Sequence, residues 1–116
     1  MSEQDVQTWI KDQVTGNDVV LFMKGTKDFP QCGFSGRVTQ ILKFIGVNYK
    51  DINVLDDDAV RDGIKAYTNW PTIPQLYVKG EFVGGADIVT EMFQSGDLQT
   101  LFNEKGIPTH KTSAVA

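Results

Sequence analysis

Apolar positions along the chain switch repeatedly between helical and strand-like spacing, and the switches delimit its elements. Val6, Trp9, Ile10 and Val14 recur at three- and four-residue intervals, behind Ser2 and Asp5 spaced as a capping box and ahead of Gly16; this predicts a first helix. Val19 to Met23 is a continuous apolar run, too short for a helix, which suits a strand buried on both faces and implies parallel pairing. Phe34, Val38, Ile41, Leu42 and Ile45 then form a stripe on one helix face, with Gly46 where a C-terminal cap belongs. A shorter strand is expected around Tyr49 to Val54, giving the segment from Val19 the proportions of a βαβ unit.

Further on, Asp56, Asp57 and Asp58 precede Val60, Ile64 and Tyr67 at helical spacing. Three consecutive acidic side chains do not converge on one ion, so they read as a solvated helix start rather than a metal site. The chain breaks at Trp70-Pro71. Lys79-Gly80 between Gln75–Val78 and Glu81–Gly84 has the spacing of a two-residue hairpin. Asp87 is expected to cap a helix carrying Ile88, Val89, Met92 and Phe93, and Asp97 a last one carrying Leu98, Leu101 and Phe102. The order α-βαβ-α-ββ-αα packs most economically as an α/β domain: a mixed four-stranded sheet flanked by helices on both faces. That domain is expected to cover residues 1–106, with 107–116 as a disordered tail of small and polar residues.

Composition adds limits to this outline. The chain has 116 residues and one cysteine, Cys32. An internal disulfide, a zinc site of several cysteines and a dithiol centre within one chain are thereby ruled out. The formal charge of −4 supplies no excess of Lys and Arg for displacing phosphate counterions, so nucleic acid is not an expected partner. No apolar run approaches the roughly 18 residues that would span a membrane. The polar, acidic start Met1-Ser2-Glu3-Gln4-Asp5 has neither signal nor transit character, and a cytoplasmic location is expected. A mitochondrial or other organelle matrix is the alternative if a presequence has been removed.

Candidate chemistry collects at four places. Cys32 lies between a buried strand and the first turn of a helix, where ligands bind in open α/β sheets. The helix start favours a thiolate, and Lys24, Lys27 and Arg37 are near in sequence with the right charge, so a depressed thiol pKa and partial exposure are expected. Ser35 occupies the second position of a Cys-x-x-Cys pattern; it either hydrogen-bonds the thiolate or simply opens the helix, and in neither role does it resolve a mixed disulfide. Pro74 is either an ordinary strand-start proline or a cis-proline that leaves the preceding backbone free to pair with an extended peptide. Gly84-Gly85-Ala86-Asp87 is either a plain glycine turn or an anion site at a helix start. His110, the one histidine, has no partner nearby in sequence and is given no role.

Lys24-Gly25-Thr26, Pro30-Gln31-Cys32-Gly33-Phe34-Ser35, Trp70-Pro71-Thr72-Ile73-Pro74-Gln75-Leu76 and Gly84-Gly85-Ala86-Asp87, in this order and spacing, resemble the monothiol glutaredoxins with a Cys-Gly-Phe-Ser site. The resemblance spans Val6 to about Phe102. It implies the thioredoxin-like glutaredoxin fold, a cis-proline at Pro74 and a glutathione groove. In that groove Lys24 and Arg61, together with Lys65, would neutralise the glycyl carboxylate. The backbone of Ile73 beside Pro74 would pair with the cysteinyl part, Gly85, Ala86 and Asp87 would hold the γ-glutamyl end, and Gly33 and Phe34 would flank the thiol. Many relatives carry a second cysteine where this chain has Ala86, so a disulfide between those two positions is not open to it.

The resemblance further implies a glutathione-ligated 2Fe-2S cluster. Such a cluster usually takes four thiolates, and one per chain makes the holo form a homodimer bridged by the cluster with two glutathiones. A carrier of this kind would hand clusters to iron-sulfur apo-proteins and pair with a BolA-type protein. Two other functions compete with it: a glutathione-dependent oxidoreductase using Cys32 as nucleophile, and an adaptor with no thiol chemistry. The insertion Gly25-Thr26-Lys27-Asp28-Phe29, shared with the monothiol family, favours the carrier over the enzyme.

Overall fold

A computed structural model describes residues 2–110. The first helix, α1 (Glu3–Gly16), starts in a reciprocal capping box: the Asp5 N–H donates to Ser2 Oγ, and the Ser2 N–H to the Asp5 carboxylate. Next come β1 (Val19–Met23) and α2 (Gly33–Ile45), which closes on Gly46 in the left-handed region with its N–H on Leu42 O. β2 (Lys50–Asn53) runs into a 3-10 turn at Val54–Asp56 and then α3 (Asp58–Thr68), whose cap is Asp57, accepting from the Ala59 N–H at 2.9 Å. β3 (Gln75–Val78) and β4 (Glu81–Gly84) form the expected hairpin, with positive φ at both Lys79 and Gly80. α4 (Ala86–Ser95) and α5 (Asp97–Glu104) are the last helices among the described residues.

The sheet order is β2-β1-β3-β4; β1 pairs parallel to β2 and antiparallel to β3, so the sheet is mixed. Every residue of β1 is buried, because side chains alternate across a sheet covered on both sides. Val20 and Phe22 pack with Val6, Ile10, Val14, Val60 and Ile64 of α1 and α3. Val19, Leu21 and Met23 pack with Val38, Leu42, Ile45, Val89, Leu98 and Phe102 of α2, α4 and α5. This arrangement is the thioredoxin-like glutaredoxin fold. Among the described residues no helix is long and apolar enough to cross a membrane.

Three expectations need correction. Asp87 and Asp97 are not the caps of α4 and α5: Gly85 and Gly96 hold those positions without side-chain capping, and the aspartates lie in the first turns, where their charge still suits the helix dipole. Residues 107–110 do not behave as a free tail. Ile107 is 6% exposed in the core beside Val47, Thr109 bridges Val47, and the His110 N–H donates to Gly46 O at 3.0 Å. The physical reason is one apolar side chain, Ile107, which covers the end of the α2 layer. The rest of the expected tail, 111–116, lies outside the described residues.

Candidate functional site

The sequence places Cys32 as the N-cap of α2, in extended conformation just before the first helical residue. The cap position turns its side chain toward the unpaired N–H groups of the first turn. The Ser35 N–H donates to Sγ at 3.4 Å, and Ser35 Oγ lies 3.4 Å from the same sulfur. Ser35 is fully buried, and its hydroxyl oxygen accepts from the Lys24 N–H at 3.0 Å, which leaves its own proton for the sulfur. Burial alone would push the Cys32 thiol up. The Ser35 hydroxyl, the Ser35 and Phe34 N–H groups and the Lys24 charge outweigh it, so the thiol is held below its ordinary value. Ser35 therefore serves the thiolate and does not merely open the helix.

Between β1 and α2 the 24–31 loop folds back on itself. The Gln31 N–H donates to Lys24 O at 2.9 Å, and Thr26 and Phe29 exchange backbone bonds at 3.2 and 3.1 Å. β2 holds the loop from the side: Asn53 Oδ1 accepts from the Gly25 N–H at 2.9 Å, and the Asp51 carboxylate from the Lys27 N–H at 2.8 Å. Lys27 itself is drawn to β2, with Nζ donating to Tyr49 O at 2.7 Å and standing 4.3 Å over the Tyr49 ring. Of the three cations expected near the thiol, Lys24 is the one whose charge acts on it.

Beside this helix start runs a cleft of about 620 Å3, lined among others by Lys24, Phe34, Ile73, Pro74, Ala86 and Asp87. The Ile73–Pro74 bond is cis, deciding between the two readings of that proline. Lys65 and Gly85 also line the cleft. Arg61, one turn before Lys65 on α3, is not among the lining residues, nor are Cys32 and Gly33, which stand immediately before Phe34. Phe34, two residues after the thiol, is 63% exposed. The charged lining residues are Lys24, Lys65, Asp87 and Glu91. The α4 start has no side-chain cap, so its first N–H groups are available to an anion.

Sequence reasoning overlooked Glu91, one helical turn beyond Asp87 and on the same face, a spacing that could have disclosed it. It also overlooked Asp51 and Asn53, whose link to the loop crosses 24 and 28 positions and leaves no local signal.

The comparisons agree with this geometry. A family model described as Glutaredoxin matches residues 19–83. An uncharacterized monothiol glutaredoxin, ycf64-like, from Synechocystis is 56% identical over 92 residues, spanning 79% of this chain and 86% of that protein. The solution structure of a monomeric truncated mutant of Trypanosoma brucei 1-C-Grx1 superposes with a TM-score of 0.83 at 42% identity, covering 97% of this chain and 98% of the other. A buckwheat glutaredoxin solved as a complex with glutathione gives a TM-score of 0.79 at 25% identity, over 90% of this chain and 93% of its own. With a lone thiol capping α2, a serine three residues on and a cis-proline across the cleft, the chain belongs to the monothiol glutaredoxin family.

Proposed function

We propose that this chain binds glutathione in the cleft and, as a pair of chains, carries a glutathione-ligated 2Fe-2S cluster that it passes to iron-sulfur apo-proteins. The observation that carries the proposal is a single, partly exposed thiol held below its ordinary pKa beside a peptide-sized cleft. Among the described residues no group of three or more His, Cys, Asp or Glu could hold a metal alone. The donor set therefore fits a cluster when Cys32 from two chains is completed by two glutathione sulfurs.

The lining charges and the uncapped α4 start suit the two ends of the tripeptide. Lys24, Lys65 and Arg61 meet the glycyl carboxylate; the Ile73 backbone pairs with the cysteinyl unit; Gly85 and Ala86 offer N–H groups, and Asp87 its carboxylate, to the γ-glutamyl end. Gly33 and Phe34 flank the sulfurs. Ligands held without covalent links to the protein release their cargo readily, which suits transfer, and a BolA-type protein is the proposed regulatory partner. A free thiol of this kind belongs in a reducing compartment, the cytoplasm or an organelle matrix.

The lowered thiol favours a second reading, removal of glutathione from protein mixed disulfides. Cys32 thiolate attacks the glutathione sulfur and the protein leaves as thiolate; a second glutathione then cleaves the Cys32 mixed disulfide, releasing oxidised glutathione. Anaerobic reconstitution with iron, sulfide and glutathione separates the two. The carrier gives visible sulfide-to-iron absorption that Cys32→Ser abolishes; a colourless wild type that turns over a glutathionylated protein reverses the order.

A further inference from the structure

Gln75 opens β3 with a fully buried side chain. Its Nε2 donates to Trp70 O and Thr72 O, both at 3.2 Å. Its Oε1 accepts from Tyr77 OH at 2.9 Å and faces Thr68 Oγ1 at 3.1 Å. Both donors of the amide are thus engaged and its oxygen accepts from Tyr77, while the single Thr68 proton is shared between Gln75 Oε1 and Ile64 O, 3.0 Å away; a buried polar group so satisfied is firmly held. Burial pushes the Tyr77 phenol well above its ordinary value, so it remains protonated and donates.

The amide joins two bodies. Thr68 ends α3, the helix that presents Lys65 to the cleft, and Tyr77 is fixed in the sheet between the rings of Phe22, Tyr67 and Phe82. Trp70 and Thr72 belong to the irregular segment 70–74, which forms one wall of the cleft and makes no regular secondary structure. A wall without a helix or strand ladder of its own takes its shape from such side-chain bonds.

We infer that Gln75 is a positioning residue for ligand binding: through the Trp70 and Thr72 carbonyls it holds the 70–74 wall in the shape that pairs with an extended tripeptide. This rests on the proposed glutathione reading of the cleft. The Cys32 network of Ser35, Phe34 and Lys24 shares no atom with it. A change at Gln75 therefore alters affinity for the tripeptide without removing any group that sets the ionisation of the thiol.

The test is an NMR titration of the full chain with S-methylglutathione, which binds without reacting at Cys32. Gln75→Met keeps the length of the side chain and removes its polar atoms; Gln75→Glu keeps the volume and removes the Nε2 donors. If the wall then holds its binding shape about a tenth of the time, the apparent Kd rises about tenfold, with the thiol titration unchanged. Thr68→Val, losing one of the four contacts, gives a smaller rise in the same direction and serves if the Gln75 variants do not fold. Val14→Ala, a core change in α1, supplies the control: comparable loss of stability with wild-type affinity. Wild-type Kd in the variants, or an equal loss in Val14→Ala, overturns the inference. A wild type that fails to bind S-methylglutathione overturns the glutathione reading itself.

Discussion

Replacing Gly25 with alanine probes the loop that delivers Lys24 to the thiol. Gly25 has φ +90°, in the region that favours glycine, and a methyl there would stand 2.4 Å from Phe29 O and 2.6 Å from the Gln31 N. These two atoms already make loop bonds, Phe29 O with the Thr26 N–H and the Gln31 N–H with Lys24 O. Relieving the clash therefore sacrifices both bonds, at about 0.5–1.5 kcal/mol each, and the residue still carries a backbone strain of about 1–3 kcal/mol. The expected loss is about 2–6 kcal/mol, a large fraction of the roughly 5–15 kcal/mol of a domain. For a chain of this length it lowers Tm by about 8–24 °C. If the loop opens locally instead, the global loss is smaller, but the Lys24 N–H leaves Ser35 Oγ and the thiol becomes less acidic. Urea unfolding and a thiolate absorbance titration, run together, register either route. A Gly25→Ala variant with wild-type midpoint and wild-type thiol titration would refute the described loop.

Three more outcomes follow from the same coordinates. Ser35→Ala, removing the hydroxyl donor to Sγ, shifts the pH profile of Cys32 alkylation upward; an unmoved profile would deny the hydroxyl its role. The thiol's folded value is depressed, so the unfolded chain binds the extra proton and stability rises as pH climbs from the lowered toward the ordinary thiol value; this gain is lost as pH falls through the lowered value. Urea midpoints measured across that window should show the rise in wild type and not in Cys32→Ser, and parallel curves would contradict it. Ile107→Ala empties a buried site and costs about 2–5 kcal/mol, whereas an unchanged Tm would mean that 107–110 does not dock.

Much of this molecule is legible from its residues because its elements are bounded by local signals. The Ser2–Asp5 box, the Gly46 stop and the Lys79-Gly80 turn each act within a few residues, and each stands where the pattern puts it. The caps of α4 and α5 were misassigned because Gly85 and Gly96 end one feature and begin the next, so the aspartate after each glycine imitates a cap. The docking of Ile107 depends on a layer assembled from α2, α4 and α5, which no local spacing reveals. The same holds at the site. Cys32, Ser35 and Pro74 were readable from position, but Asp51, Asn53 and Gln75 act across turns and strands on backbone groups, and a glutamine opening a strand carries no sign of the carbonyls it holds. Of the two α3 cations that the resemblance implies, Lys65 lines the cleft and Arg61 is not among the lining residues.

Native mass spectrometry of anaerobically reconstituted protein tests the central claim most directly, because it counts chains, glutathiones and cluster in one species. One cysteine per chain predicts two chains, two glutathiones and one 2Fe-2S cluster, collapsing to apo monomers in Cys32→Ser. A cluster carried by a single chain, or by two chains without glutathione, would contradict the account.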